Sequence, residues 1–176
     1  MKGLPDFSGT LVFGVGHSTR SLEELVDLLW SHGVATVADV RRLPGSRRYP
    51  HFDQAPLARA LADAGVAYVH LPRLAGRRSR KRPDSPNGGW RNASFQRYAD
   101  HMLSEEFAEG LGELRALAAS GPVALLCSEA VPWRCHRSLI ADALAARGAD
   151  VRQIASPTRA PPHRVTPFAR VHRGGL

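Results

Sequence analysis

Four short, largely apolar runs at residues 11–15, 35–40, 66–71 and 123–127 are each followed, after a turn or loop, by a stretch with helical periodicity. Runs of that length are strands buried on both faces, and such strands belong to parallel sheets covered by helices. Ser21 precedes Leu22, Leu25, Val26, Leu28 and Leu29, with Glu23 and Glu24 in the first turn and Gly33 behind, so the spacing predicts a capped helix over 21–32. Further helices are expected over 53–64, 93–103, 105–119 and 136–147, and a fifth strand over 150–155. The alternation predicts an α/β, three-layer Rossmann-like domain spanning 1–155, with a mostly parallel five-stranded sheet. The expected strand order is 3-2-1-4-5, which sets strands 1 and 4 side by side at the switch point where open α/β sheets bind ligands.

With 176 residues the chain is long enough to bury one core without disulfides or a metal. No apolar run approaches the roughly 18–20 residues of a membrane span, and the first residues lack a secretion-signal core. A cytoplasmic protein with no membrane partner is expected, its two cysteines, Cys127 and Cys135, remaining thiols. Residues 156–176 hold four prolines, four arginines and no acid, and are expected to be poorly ordered on their own.

Twenty-four basic residues against 16 acidic give a net charge of +8, and all the basic residues except Lys2 and Lys81 are arginine. Guanidinium suits bidentate phosphate contacts, although an arginine-biased genome would give the same excess. Clustering is more informative than the total. Arg41, Arg42, Arg47 and Arg48 surround a Pro-Gly-Ser turn that leads to Tyr49 and Phe52. The long loop 72–91 contains Arg73, Arg77, Arg78, Arg80, Lys81 and Arg82, followed by Trp90. Arginine beside aromatic rings suits nucleic acid, with Arg47, Arg48, Arg77, Arg78, Arg80, Lys81 and Arg82 on phosphates and Tyr49, Phe52 or Trp90 available to stack on bases. The other reading is a solvated loop with its aromatics turned inward, and for Trp90 that reading is preferred.

Reactive groups are densest between Cys127 and Arg137. Cys135 stands where a helix should begin, and the helix dipole with Arg134 and Arg137 would favour its thiolate. The same helix start could hold a phosphate through backbone N–H groups, with Glu129 as acid, base or partner of an arginine. A buried, inert cysteine pair with a Glu–Arg structural contact is the alternative. No metal is expected: adjacent Cys135 and His136 do not have metal-ligand spacing, and only His17, His51 or Glu129 could complete a shell. A phosphate-cradling loop with five residues between Cys127 and an arginine would need Arg at 133, where Trp stands. Gly16, His17 and Ser18 follow the first strand and offer a close backbone approach, an acid or base, and a hydroxyl. Gly14 and Gly16 do not complete a dinucleotide fingerprint, because Arg20 stands near the third glycine position, and no cofactor is expected. Asp39 and Arg41 end the second strand as an internal ion pair or, as second choice, part of the site.

Val15-Gly16-His17-Ser18, Asp39-Val40-Arg41 with Pro44 and Ser46, Gly89-Trp90-Arg91-Asn92, and Leu126-Cys127-Ser128-Glu129 followed by Cys135-His136-Arg137 resemble, in combination, the domain-of-unknown-function 488 family over residues 11–155. The resemblance implies a compact α/β fold and no settled reaction. It also implies a polar set at His17, Ser18, Asp39, Arg41, Glu129, Cys135, His136 and Arg137. The expected function is an enzyme for a nucleic acid or nucleotide. Glu129, Cys135 and His17 would be its catalytic candidates, and Gly16, Ser18, Asp39, Arg41, Cys127, Arg134, His136 and Arg137 would contact substrate. A noncatalytic nucleic-acid-binding module, or a Cys-dependent enzyme for a small sulfur or phosphate compound, are the alternatives.

Overall fold

The computed structural model describes residues 3–76, 78 and 82–170. Five strands, β1 (Leu11–Gly16), β2 (Thr36–Asp39), β3 (Ala67–His70), β4 (Val123–Cys127) and β5 (Asp150–Gln153), form one sheet in the order β3-β2-β4-β1-β5. Every neighbouring pair is parallel. The α/β class holds, but the expected order 3-2-1-4-5 does not: β4 inserts between β1 and β2. The central place goes to the strand whose every residue is apolar and buried, Val123-Ala124-Leu125-Leu126-Cys127, whereas β1 begins at a partly exposed Leu11. β1 and β4 are still neighbours, in a register that sets Gly16 opposite Cys127.

The strand alternation sorts the core into two layers. Ala124 and Leu126 join Phe13, Val15, Val37, Leu25, Leu29, Leu57 and Leu61 beneath α1 (Leu22–Ser31) and α2 (Gln54–Asp63). Val123, Leu125 and Cys127 point the other way, into a layer with Val12, Tyr98, Leu111, Leu139, Ile140 and Leu144. That layer is roofed by α3 (Ala93–His101), α4 (Glu105–Ala118) and α5 (Arg137–Ala145). Each buried Leu or Ile contributes roughly 1.5–3 kcal/mol, so the two layers hold the sheet without a cross-link. α1 starts on a capping box in which the Ser21 hydroxyl accepts from Glu24 N–H and the Glu24 carboxylate accepts from Ser21 N–H.

Two segments are more tightly docked than their composition implied. After β3 a 3-10 turn, Pro72–Leu74, drives Leu74 into the α3–α5 layer. The Arg78 guanidinium donates to the carbonyls of Pro72, Arg73 and Ala75 and pairs with Glu106 at 3.0 Å. Residues 156–170 run back along the free edge of β5: Gln153 N–H donates to Pro161 O and His163 N–H to Val151 O. The His163 ring lies 2.7 Å from Asp142 Oδ1, and Phe168 packs edge-on against Trp90. A covered strand edge cannot template pairing with another chain, which gives the Pro/Arg-rich segment a structural role. No described helix is long and apolar enough to cross a membrane.

Candidate functional site

β1 leaves the sheet toward the α1–α2 face and β4 toward the α3–α5 face, so a crevice opens above their C-terminal ends. The crevice is a cleft of about 750 Å³, and its lining includes His17, Ser18, Arg41, Cys127, Glu129, Arg134, Cys135 and His136. Beyond the strand ends the two loops stay zipped: His17 N–H donates to Cys127 O and Ser18 N–H to Ser128 O. Gly16 is required here, because a Cβ on it would collide with the Glu129 carbonyl. Ser18 has φ of 50°, the one non-glycine among the described residues in the left-handed region, and it is held there by that hydrogen bond at the cleft wall.

Cys127 and Cys135 are buried in the cleft lining and form a cluster with Arg137, which lies behind them. Cys135 Sγ donates to Cys127 Sγ at 2.9 Å, and Arg137 Nη1 donates to the same Cys127 sulfur at 3.1 Å. The rest of the Arg137 guanidinium rests on backbone, with Nη1 also on Glu129 O at 3.2 Å and Nη2 on Ala130 O at 3.5 Å, while Nε–H is buried without a partner among the described residues. Among the described residues no carboxylate meets Arg137, although only 1% of it is exposed. A buried cation without a counter-ion is costly, and the nearest group able to neutralise it is the Cys127 thiolate. The thiol bond from Cys135, followed by the Arg137 charge, accordingly holds Cys127 below the usual thiol range in spite of burial. Cys135 is pushed well above that range by its bond to Cys127, by burial and by the charge of the neighbouring sulfur. The sequence argument had the thiolate at Cys135. The geometry moves it to Cys127, because Arg137 reaches back past Cys135 to the strand end and Arg134 stays exposed.

The His136 ring wedges between two parts of the site. Its Nε2 lies 3.1 Å from Val40 O, a contact that needs the proton on Nε2, and its Nδ1 lies 3.6 Å from Cys135 Sγ. Burial, reinforced by the Arg137 charge, lowers its pKa from 6.5 to about 4, so the ring is neutral near pH 7. Gly76 permits this placement, since a Cβ there would press on the imidazole. His17 stacks on Phe52 at 4.2 Å between ring centres and gives its Nδ1 proton to Ser18 O; burial lowers its pKa too.

Asp39 and Arg41 form an internal pair. Arg41 Nη2 lies 2.7 Å from Asp39 Oδ2, its Nη1 donates to Phe52 O, and the Tyr68 hydroxyl donates to Asp39 Oδ2 at 2.6 Å. Arg41 reaches the cleft with few donors to spare. Glu129 and Arg134, by contrast, are exposed on the cleft wall and make no side-chain hydrogen bond or ion pair with any described residue. The Glu129–arginine pair considered from sequence is therefore absent among the described residues. Arg47 and Arg48 are exposed beside the opening, with Arg48 over the Tyr49 ring at 5.6 Å. Phe52 is fully buried and Trp90 stacks on Phe95, so of the three aromatics considered for base stacking Tyr49 alone lines the cleft. Arg78 is engaged with Glu106 and backbone, Arg82 is exposed, and Arg77, Arg80 and Lys81 lie outside the described residues.

Sequence reasoning missed Gly76 and Tyr98 in the cleft wall and Tyr68 behind it. Tyr98 sits at an apolar helical position and Gly76 in a basic loop, where neither stands out. Asn92, which belongs to the Gly89-Trp90-Arg91-Asn92 motif but was not singled out as a site residue, caps α3 and lines the cleft.

An α/β fold with a cysteine-lined cleft at a sheet switch point is the class these features define. The family model "Domain of unknown function DUF488" matches residues 21–144, and the chain belongs to that family. Neither a curated protein nor a solved structure matches it significantly.

Proposed function

We propose that the protein is an enzyme for a phosphate-bearing substrate of nucleotide size, a mononucleotide or the end of a nucleic-acid strand, and that Cys127 is its nucleophile. The observation that carries this reading is the buried Arg137 guanidinium, which has the Cys127 sulfur and no described carboxylate beside it. A thiolate is the reactive form of cysteine, and a buried cation is a recognised means of holding it. The cleft wall supplies the anion-binding half. Arg41, Arg42, Arg48 and Arg134 line it against Glu129 as the one lining carboxylate, and Tyr49 offers a ring face. Arg134, with its guanidinium uncommitted, takes the phosphate. Glu129 handles a proton at the reacting centre, and His17 supports it through a neutral Nε2.

The test is calorimetric titration of inorganic phosphate, mononucleotides and short single-stranded DNA at two salt concentrations, with product analysis by mass spectrometry. Salt-sensitive binding weakened about tenfold by Arg134→Ala matches the loss of one charge-assisted hydrogen bond. Turnover abolished in Cys127→Ser with binding retained assigns the nucleophile. Binding without turnover leaves a noncatalytic module, and no binding at low salt removes phosphate from the reading altogether.

A further inference from the structure

Cys127 and Cys135 do not resemble two cysteines buried separately as small hydrophobes. Their sulfurs are 2.9 Å apart, so closing to the roughly 2.05 Å of a disulfide requires less than about 1 Å of approach, across a loop whose conformation already brings the end of β4 to the start of α5. Both line the cleft, which gives a small solute a route to them. They are also unequal. Of the two sulfurs the Arg137 guanidinium reaches only Cys127, while Cys135 Sγ accepts the Arg137 backbone N–H at 3.4 Å and has beside it the His136 ring, whose Nε2–H is spent on Val40 O and whose Nδ1 lies 3.6 Å away. One sulfur stands beside a cation and the other beside a neutral ring.

We propose that Cys127 and Cys135 form a redox-active dithiol that reduces a hydroperoxide by two electrons and closes to an intramolecular disulfide. In the first step the Cys127 thiolate attacks the terminal oxygen of the peroxide. The S–O bond forms as the O–O bond breaks, and the departing alkoxide or hydroxide takes a proton from solvent, leaving Cys127 as a sulfenic acid. In the second step the Cys135 sulfur attacks Cys127 Sγ as its proton, which already points at that sulfur, passes to the departing sulfenic oxygen. The S–S bond forms, the S–O bond breaks, and the oxygen leaves as water. The peroxide is reduced to an alcohol or water and the two thiols are oxidised. A small-molecule dithiol returns both by exchange. The order is fixed by position: Arg137 favours the attacking thiolate at Cys127, and the higher thiol pKa of Cys135 keeps that residue protonated until it resolves. The proposal shares Cys127 with the reading above but needs no phosphate ligand, so the two fail separately.

The experiment exposes the full-length protein to hydrogen peroxide, quenches it in acid, unfolds it, alkylates the remaining thiols and records the intact mass. Both thiols should disappear together with the loss of two hydrogens, without dimer, and both should return with dithiothreitol. Cys135→Ser should instead accumulate a dimedone-trappable sulfenic acid at Cys127. In Cys127→Ser the remaining Cys135 should oxidise at least about tenfold more slowly, as expected of a thiol kept protonated. Loss of one thiol alone in the wild type, oxidation to sulfinic acid without disulfide, or two thiols intact after peroxide treatment would each overturn the proposal. The wild-type count decides this even if a variant fails to fold. Thiol-pair oxidation without nucleotide binding sinks the phosphate reading only; nucleotide turnover that is lost in Cys127→Ser, with both thiols intact after peroxide, sinks this one only.

Discussion

Arg41 and Arg137 both bury a guanidinium at the ends of neighbouring strands, at 9% and 1% exposure, yet of the two only Arg41 meets a carboxylate among the described residues. Around Arg41 the charges are closed: Asp39 accepts from Nε and Nη2, Phe52 O from Nη1, and the Tyr68 hydroxyl completes the carboxylate. Around Arg137 they are open, with a thiol sulfur, two carbonyls and an unpartnered Nε–H. A closed buried pair fixes a loop. An open buried cation needs an anion, and here it acts on a reactive atom. The adjacent strand ends thus differ: β2 anchors the wall through a closed pair, and β4 ends in a sulfur beside an open cation.

The largest expected effect tests the closed half. Asp39→Ala should cost about 3–5 kcal/mol, because it leaves the Arg41 charge buried and uncompensated, measured by urea unfolding. Asp39→Ala with Arg41→Met should recover much of that loss. A single-variant cost under about 1 kcal/mol would mean that Arg41 escapes to solvent, and that the two arginines differ less than their surroundings imply.

The next effect concerns the residue that joins the halves, since His136 bonds Val40 O on the β2 side and approaches Cys135 on the other. Its pKa falls from 6.5 to about 4 on folding. Between those values the unfolded chain binds the extra proton, so stability rises with pH; the contribution is complete above 6.5 and is lost as pH falls toward 4. At roughly 1.4 kcal/mol per unit, that is on the order of 2–3 kcal/mol after allowance for partial solvent contact. His17 and His101, lowered mainly by burial, act in the same direction. Stability measured from pH 7 to 4 should therefore drop, and His136→Gln should flatten the slope. An unchanged slope in that variant would assign the acid sensitivity to the other two histidines.

The strands, the helices and the pairing of β1 with β4 were legible because each rests on a local pattern: apolar runs of strand length, an N-cap at Ser21, and the switch-point geometry that follows from crossovers. The place of β4 was not, because 3-2-1-4-5 and 3-2-4-1-5 satisfy the same crossover rule and differ in which strand fills the buried centre. At the site the loops were legible and the roles were not. Arg137 and Cys135 are close in sequence, yet α5 carries Arg137 back to Cys127, a contact that spacing does not encode. The basic loop read as a uniform charge run, whereas Arg78 is pinned by three carbonyls and Glu106. Charge in a sequence does not reveal which guanidinium the fold will use internally.

The smallest expected effect on stability is also the sharpest test of the open half. Arg137→Met keeps much of the buried volume and removes a cation that no described carboxylate balances, so its unfolding free energy should lie within about 1 kcal/mol of the parent or above it, unlike Asp39→Ala. The thiols should respond instead. Thiolate absorbance followed against pH reports the pair through two apparent steps, and the lower step should move up by about one unit or more once the guanidinium is gone. At any pH below the parent's lower step that shift leaves about a tenth of the thiolate, so alkylation there by a small reagent should slow about tenfold. Arg137→Lys should restore part of the shift, because a cation returns without the fork that reaches both sulfur and carbonyl. A variant that loses as much stability as Asp39→Ala while its thiol titration stays put would make Arg137 a second structural arginine, and the distinction between the two strand ends would dissolve.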